Sequence, residues 1–285
     1  MLTKELNQQL TDFVHQALAE DIRDGDHTSQ ACIPDDAVDT AYLLVKDEGV
    51  LAGVELAKRV FEIVDPSAKF DQFLDDGAAI KYGDIAFEVT CNAQALLKAE
   101  RLVLNSMQRM SGVATISRQY AKEVEDYATT ILDTRKTTPL IRFLEKWGVR
   151  IGGSSNYRDG LYDWIMIKDN HIDASGGIPQ AIKRVHRYLQ EKNLDLGVTV
   201  EVRNLEEMHQ VLEIGGITRI MLDNFDTPTM AKAVKIIDGR FEVEASGGIT
   251  IGRLKEIAEV GVDFISVGAL THSAKSLDLS LKIKK

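Results

Sequence analysis

In the second half of this chain, short apolar runs alternate with stretches in which apolar residues recur every three or four positions. The runs lie at 131–133, 149–152, 164–168, 198–202, 220–223, 241–245 and 264–267, and the helical spacing is clearest at 178–193, 205–214, 229–237 and 251–260. Short apolar runs suit strands buried on both faces, and the three-and-four spacing suits helices that cover them. Starts at 198, 220, 241 and 264 are 22, 21 and 23 residues apart, close to the shortest span that holds a strand, a crossover helix and two loops. Such right-handed units form an open parallel sheet or close into a barrel. Seven of them in succession, with no reversal of pattern, favour a barrel short of the usual eight strands.

The first half has a different texture. Apolar residues at Leu6, Leu10, Phe13, Val14, Ala17 and Leu18 predict a helix over 3–20, and turn formers at 21–28 end it. A strand at 40–46, a helix at 54–64 and short strands with tight turns over 75–91 make a small mixed α/β module. The nearly proline-free stretch 93–127 predicts two helices broken at Gly112, the first carrying Glu100 and Arg101. A lone arginine on a helix reads, by itself, as a solvated surface residue.

Composition narrows the function. With 285 residues, 44% hydrophobic, 27% charged and a net charge of −10, the chain reads as a soluble globular protein with room for a sizeable core. Its acidity argues against nucleic acid or an anionic membrane as partner, and the absence of a long apolar run argues against a membrane span. The amphipathic first twenty residues do not resemble a signal peptide, so the expected compartment is the cytoplasm. Cys32 and Cys91 fit neither a disulfide framework nor a zinc site.

Positive charge is nevertheless concentrated in one place. The segment 131–171 holds seven Lys or Arg against five Asp or Glu, and two apolar runs within it end abruptly in Asp133-Thr-Arg-Lys136 and Lys168-Asp-Asn-His171. Parallel strands of a barrel deliver such terminal residues to a common rim. Arg135, Lys136, Arg158 and Lys168 there suit a ligand with several negative charges. The bland alternative pairs them with Asp133, Asp163 and Asp169 as ordinary salt bridges. Glu201 and Asp223 end consecutive runs and could hold magnesium or accept from ribose hydroxyls; either could instead cap a helix or form a salt bridge, and Asp223 precedes Asn224, a plausible cap. Ser246-Gly247-Gly248 and Gly268-Ala269 follow the last two runs, where barrels commonly bind a phosphate. His171 and His272 lie at the same rim, and no catalytic triad, nucleophile elbow, Walker loop or HExxH motif occurs.

At these residues the chain resembles the quinolinate phosphoribosyltransferases, the carboxylating nicotinate-nucleotide pyrophosphorylases of NAD biosynthesis. The resemblance runs over nearly the whole length. Its most specific pieces are Asp133-Thr-Arg-Lys-Thr-Thr-Pro139 and Lys168-Asp-Asn-His171, supported by Glu100-Arg101, Glu201-Val202, Leu222-Asp-Asn224, Glu244 to Gly248 and Ser266 to Ser273. It implies the type II phosphoribosyltransferase fold: an N-terminal α/β sandwich domain (1–112) and an open seven-stranded, TIM-like α/β barrel (113–272), with the tail 273–285 returning to the first domain. It implies at least a homodimer with a shared active site. Quinolinate would be held by Thr134, Arg135, Tyr157, Arg158 and Lys168, with Arg101 reaching in from the neighbouring subunit. Phosphoribosyl pyrophosphate (PRPP), with Mg2+ at Glu201 and Asp223, would use Lys136, Glu201, Asp223, Ser246, Gly247, Gly248, Gly268, Ala269 and His272. Lys136, Lys168, Glu201 and Asp223 would be the catalytic set, and no organic cofactor is implied. Nucleophile and leaving group both belong to the substrates, so orientation and charge complementarity are what the protein must supply.

One position departs from the family pattern. Asn156-Tyr157-Arg158 stands where an Asn-His-Arg or Ser-His-Arg is usual, and Ser154 replaces a third glycine. A phenol can donate a hydrogen bond to a carboxylate, but unlike imidazole it cannot become a cation. Altered affinity for the acid, or an altered pH dependence, is expected. Two other readings compete with this one: a Schiff-base barrel with Lys168 as nucleophile, and a non-catalytic binder of phosphorylated sugars.

Overall fold

The computed structural model describes residues 3–284. The chain divides into two compact units. One contains residues as far as Arg118 together with Thr138–Gly153 and everything from Ser273 onward; the other contains Gln119–Thr137 and Ser154–His272.

In chain order the elements begin with α1 (Lys4–Ile22), α2 (His27–Cys32), β1 (Val38–Val45), β2 (Gly49–Val50), α3 (Val54–Val64), β3 (Lys69–Gln72), β4 (Ala79–Ile80), β5 (Ile85–Asn92) and α4 (Ala93–Glu123). They continue with β6 (Thr130–Leu132), α5 (Arg142–Ile151), β7 (Ile165–Ile167), α6 (Asp169–Ser175), α7 (Ile178–Lys192), β8 (Val198–Val202), α8 (Leu205–Ile214) and β9 (Arg219–Asp223). The last are α9 (Thr227–Ile237), β10 (Glu242–Ser246), α10 (Leu254–Glu259), β11 (Phe264–Ser266), α11 (Ala269–His272) and β12 (Leu279–Ile283).

The first unit is built on an antiparallel sheet in the order β12-β1-β5-β3, with β2 and β4 as a separate ribbon. Alternate residues of β1 (Ala41, Leu43, Val45) and of β5 (Phe87, Val89, Cys91) are buried, as the period of two demands. They share one core with Leu10 and Val14 of α1, Leu56, Val60 and Phe61 of α3, and Val103, Met107 and Met110 of α4. Thr3 caps α1, its hydroxyl accepting from the backbone N–H of Leu6 at 3.2 Å.

Two expectations fail here, each for a physical reason. The stretch 93–127 holds one helix of 31 residues, and Gly112 sits within it. A β-carbon at Gly112 would lie 1.9 Å from the carbonyl oxygen of Lys275, so the glycine serves a close approach of backbone and does not break the helix. The run at 149–152 ends a helix and is no strand: α5 buries Leu144, Trp147 and Val149, with Gly148 against Val113 and the carbonyl of Met110. Val149-Arg150-Ile151 alternates like a strand only when its preceding seven residues are ignored.

Asp76 caps α3, accepting from the backbone N–H of Val54 at 2.9 Å. Burial raises its carboxyl from the ordinary 3.8 to about 6, outweighing the helix N–H donors. The folded chain therefore holds this proton more tightly than the unfolded chain. The stability it contributes is full below about pH 4 and is lost as pH rises through about 6. Denaturant unfolding at pH 4.5 and 7.5 should show a loss of roughly 1–3 kcal/mol from this group. In Asp76→Asn, whose side-chain oxygen can still accept, that part of the pH slope should vanish; an unchanged slope would assign it elsewhere.

The second unit is a parallel sheet in the order β6-β11-β10-β9-β8-β7, wrapped by α7 to α10. Every residue of β8 is buried, as expected of a strand covered on both faces. The predicted boundaries of β8 and α8 match, and those of β6, β7, β9, β10 and β11 fall within two residues. Beyond β6 the seventh position is occupied by a single parallel bridge, Leu132 with Ser155. That position comes later in the chain than the 149–152 run, and it is reduced to one residue because the segment around it turns inward to place side chains.

Candidate active site

The parallel register decides which strand ends meet. Asp223 pairs with Ser246, and Glu201 with Met221, two residues before Asp223. Residues two apart share a face, so Thr199 lies one layer below Glu201, Glu244 one layer below Ser246, and Ser266 one layer below Gly268. The strand ends thus form a rim, and a second polar layer lies beneath it inside the sheet.

Along the rim, Lys168 directly precedes α6. His171 turns back to it, its Nδ1 accepting from the Lys168 backbone N–H at 3.0 Å. That contact makes His171 a capping residue and aims Lys168 across the strand ends. The Lys168 ammonium donates to Glu201 Oε2 at 2.7 Å, with the lysine side chain half-exposed and the glutamate nearly buried. Asp223 accepts from Asn224 Nδ2 at 2.7 Å. The cap of α9 is Asp226, which accepts from Thr229, so Asp223 does not serve as a cap. Asn224 donates its backbone N–H to the carbonyl of Ser246 at 2.9 Å. A β-carbon at Gly247 would fall 2.2 Å from Asn224 Oδ1, and Gly247 has φ +94°; only glycine fits where these two loops interlock. Gly248 faces open space.

Gly268, Lys136 and His272 converge. A β-carbon at Gly268 would be 2.9 Å from Lys136 Cδ and 3.1 Å from His272 Nε2. Ala269 begins α11, and the Thr271 hydroxyl donates to the Lys136 carbonyl at 2.9 Å. Thr134 turns this loop by accepting from the Lys136 N–H at 3.1 Å.

The two arginines are set by a residue not singled out for function from the sequence. Asp133, fully buried at the end of β6, accepts from Asn156 Nδ2 at 2.6 Å and from the Tyr157 N–H at 2.8 Å. It ties the loop carrying Arg135 to the loop carrying Arg158. Arg135 Nε is buried without a hydrogen-bond partner, and neither arginine has an ion pair among the described residues. Burial and then the charge of Arg135 pull the Arg158 guanidinium below its ordinary pKa. Two like charges held together with a buried N–H unused describe a place for an anion.

Tyr157 goes elsewhere. Its ring enters the sheet interior, where its hydroxyl lies 2.5 Å from Thr199 Oγ1 and also hydrogen-bonds Glu244. Thr199 and Glu244 were legible as polar residues inside buried strands, Val-Thr-Val-Glu-Val and Val-Glu-Ala-Ser, yet attention to strand ends passes over them. Arg101 belongs to the first unit, exposed on α4, and makes no hydrogen bond or ion pair among the described residues. The described residues contain no group of three or more His, Cys, Asp or Glu placed to hold a metal, and none of their helices is long and apolar enough to cross a membrane.

Comparison with known proteins gives a consistent result. Residues 113–282 match the model of the quinolinate phosphoribosyl transferase C-terminal domain, and residues 26–111 match that of its N-terminal domain. The chain is 49% identical to a chloroplastic nicotinate-nucleotide pyrophosphorylase (carboxylating) of Arabidopsis thaliana, over 94% of this chain and 80% of that protein. It is 40% identical to a probable nicotinate-nucleotide pyrophosphorylase (carboxylating) of Synechocystis, over 95% and 91%. The crystal structure of NadC from Streptococcus pyogenes superposes with a TM-score of 0.92 at 36% identity, over 100% of this chain and 98% of that one.

Proposed function

This chain belongs to the quinolinate phosphoribosyltransferase family, and on that premise we propose that the rim just described is where it binds quinolinate beside PRPP. The reaction transfers phosphoribosyl from PRPP to quinolinate with decarboxylation, giving nicotinate mononucleotide, carbon dioxide and pyrophosphate, a step of de novo NAD biosynthesis. Arg135, Arg158 and Lys168, with Thr134 beside them, take the two carboxylates. The unused Nε of Arg135 next to the destabilised Arg158 is the observation that carries this assignment. Lys136, His272, Gly268 and Ala269 face the pyrophosphate, Ser246, Gly247 and Gly248 the 5′-phosphate, and Glu201 and Asp223 the ribose hydroxyls.

The pyridine nitrogen attacks the anomeric carbon as its bond to pyrophosphate oxygen breaks. The pyridinium so formed accepts the electron pair left when the ring 2-carboxylate departs as carbon dioxide, and a proton then takes its place. Cations at the acid and at the pyrophosphate stabilise charge that builds at both ends, and no protein nucleophile is needed. Glu201 and Asp223, two carboxylates without a third, fit Mg2+ that arrives on the pyrophosphate, because magnesium uses few protein ligands when phosphates supply the rest. Bound there, the ion would neutralise the leaving group.

Purified protein given quinolinate, PRPP and Mg2+ should form nicotinate mononucleotide, and with nicotinate in place of quinolinate the rate should fall at least about 100-fold, since one rim cation then faces no carboxylate. Equal rates with the two acids would reject the assignment of the cation cluster. A Schiff-base role for Lys168 has less support, because its amine is committed to Glu201; borohydride should trap nothing there.

We also propose a homodimer in which Arg101 serves the neighbouring subunit's site, supported by its exposure and its lack of any partner within the described residues. The cytoplasm is the proposed location, checked by fractionation, although plant relatives are named chloroplastic or mitochondrial.

A further inference from the structure

Beneath the rim the barrel interior is polar. Glu244 is fully buried and accepts from Arg219 at 3.1 Å and from the Ser266 hydroxyl. Arg219 is buried too, bonded through Nε to Glu242 at 2.9 Å, and its guanidinium lies 4.9 Å from the Tyr157 ring centroid, 5.5 Å from that of Trp164 and 3.8 Å from that of Phe264. Thr199 lies between Tyr157 and Trp164: the Trp164 indole N–H donates to its oxygen at 2.9 Å. Tyr157 and Trp164 meet edge to face at 6.0 Å.

Every strand-borne member of this layer is fixed by its register. Tyr157 and Trp164, just before β7, are the members from outside the strands, and Tyr157 is held at both ends, the backbone N–H by Asp133 and the hydroxyl by Thr199 and Glu244. The next residue is Arg158, which donates to the Trp164 carbonyl at 3.2 Å, so the layer touches its guanidinium as well. With its hydroxyl occupied in the interior, the phenol is not available to a substrate carboxylate at the rim.

We propose that Tyr157 is a positioning residue, an anchor through which Thr199 and Glu244 inside the barrel fix where Arg158 presents its guanidinium to the acid. This departs from the expectation that Tyr157 binds quinolinate directly, and it rests on the assignment of Arg158 to the acid site. The anchor gives specificity for the acid because a bidentate contact tolerates little displacement, and PRPP, held by other strand ends, is indifferent to it. It also assigns acid selectivity to residues that touch no substrate.

The test is a double-mutant cycle of Tyr157→Phe and Thr199→Val, with initial rates at varied quinolinate and varied PRPP and thermal unfolding as a check on folding. Each single variant should raise the KM for quinolinate about 5- to 20-fold, the scale of one well-placed hydrogen bond, with KM for PRPP and kcat changed less than about twofold. The double variant should fall well short of the product of the two single effects, because both remove the Tyr157–Thr199 link. Multiplying effects in the double variant, or a normal quinolinate KM in Thr199→Val, would overturn the proposal and return Tyr157 to direct contact. If Tyr157→Phe fails to fold, the Thr199→Val result alone still decides. Arg158→Lys separates the two levels: an unchanged quinolinate KM there would reject the acid-site assignment, whereas a raised KM with multiplying effects in the cycle would reject only the anchor.

Discussion

Lys168→Ala is expected to lower quinolinate turnover about 1,000-fold, the scale of losing a preorganised charge at a reacting centre, while leaving the fold intact. The side chain is half-exposed, but its one observed bond is the 2.7 Å contact to the nearly buried Glu201, so its removal leaves that carboxylate unpaired and should cost roughly 1–3 kcal/mol. It does two things to the chemistry. The acid loses one of its cations, and Glu201 is left unbalanced beside two highly anionic substrates. Arg135→Ala should lose activity on the same scale but with the opposite structural signature. Its guanidinium carries a buried N–H without a partner and pushes against Arg158, so the truncated protein should unfold at the same temperature or higher. Steady-state rates and thermal unfolding on the same samples check both variants. A near-normal rate in either removes that residue from the mechanism, and a large loss of stability in Arg135→Ala would mean that its charge was already balanced.

That opposition between activity and stability explains how much of the site the sequence displayed. An apolar run that stops at a cation is visible in one dimension, because burial on both faces leaves no room for polar residues until the strand emerges; Lys168, Glu201, Asp223 and Ser246 all follow that rule. The same rule hides what happens inside. Thr199 and Glu244 interrupt buried runs and look like tolerated exceptions until Tyr157 is seen to reach them from a loop. Asp133 was legible only as a neighbour for the cations, yet it ties together the two loops that carry them. The errors in the fold have a related origin. Gly112 and the 149–152 run are local signals whose meaning is set by distant backbone, the carbonyl of Lys275 in one case and α4 in the other. A residue's neighbours in sequence could not report either contact.

Mixing two dead variants should restore activity. Arg101→Ala and Lys168→Ala, each nearly inactive alone, are expected to recover about a quarter of the wild-type rate when equal amounts exchange subunits. In a two-fold dimer each site is built from the same two surfaces in opposite roles. If Arg101 serves the neighbouring subunit, a hybrid places both lesions in one site and leaves the other whole; half of the dimers are hybrids, and half of their sites work. Arg101 is suited to this because it is exposed and makes no bond among the described residues of its own chain, so its substitution should not disturb the subunit that carries it. The control is a mixture of Arg135→Ala with Lys168→Ala. Both positions lie on the rim of one parallel sheet, at the ends of β6 and β7, so every hybrid site carries one lesion and no recovery should occur. Mass measurement of the exchanged dimers confirms that hybrids formed. If they form and the first mixture stays inactive like the control, Arg101 acts within its own subunit or not at all, and the shared site is lost while the rim assignments stand.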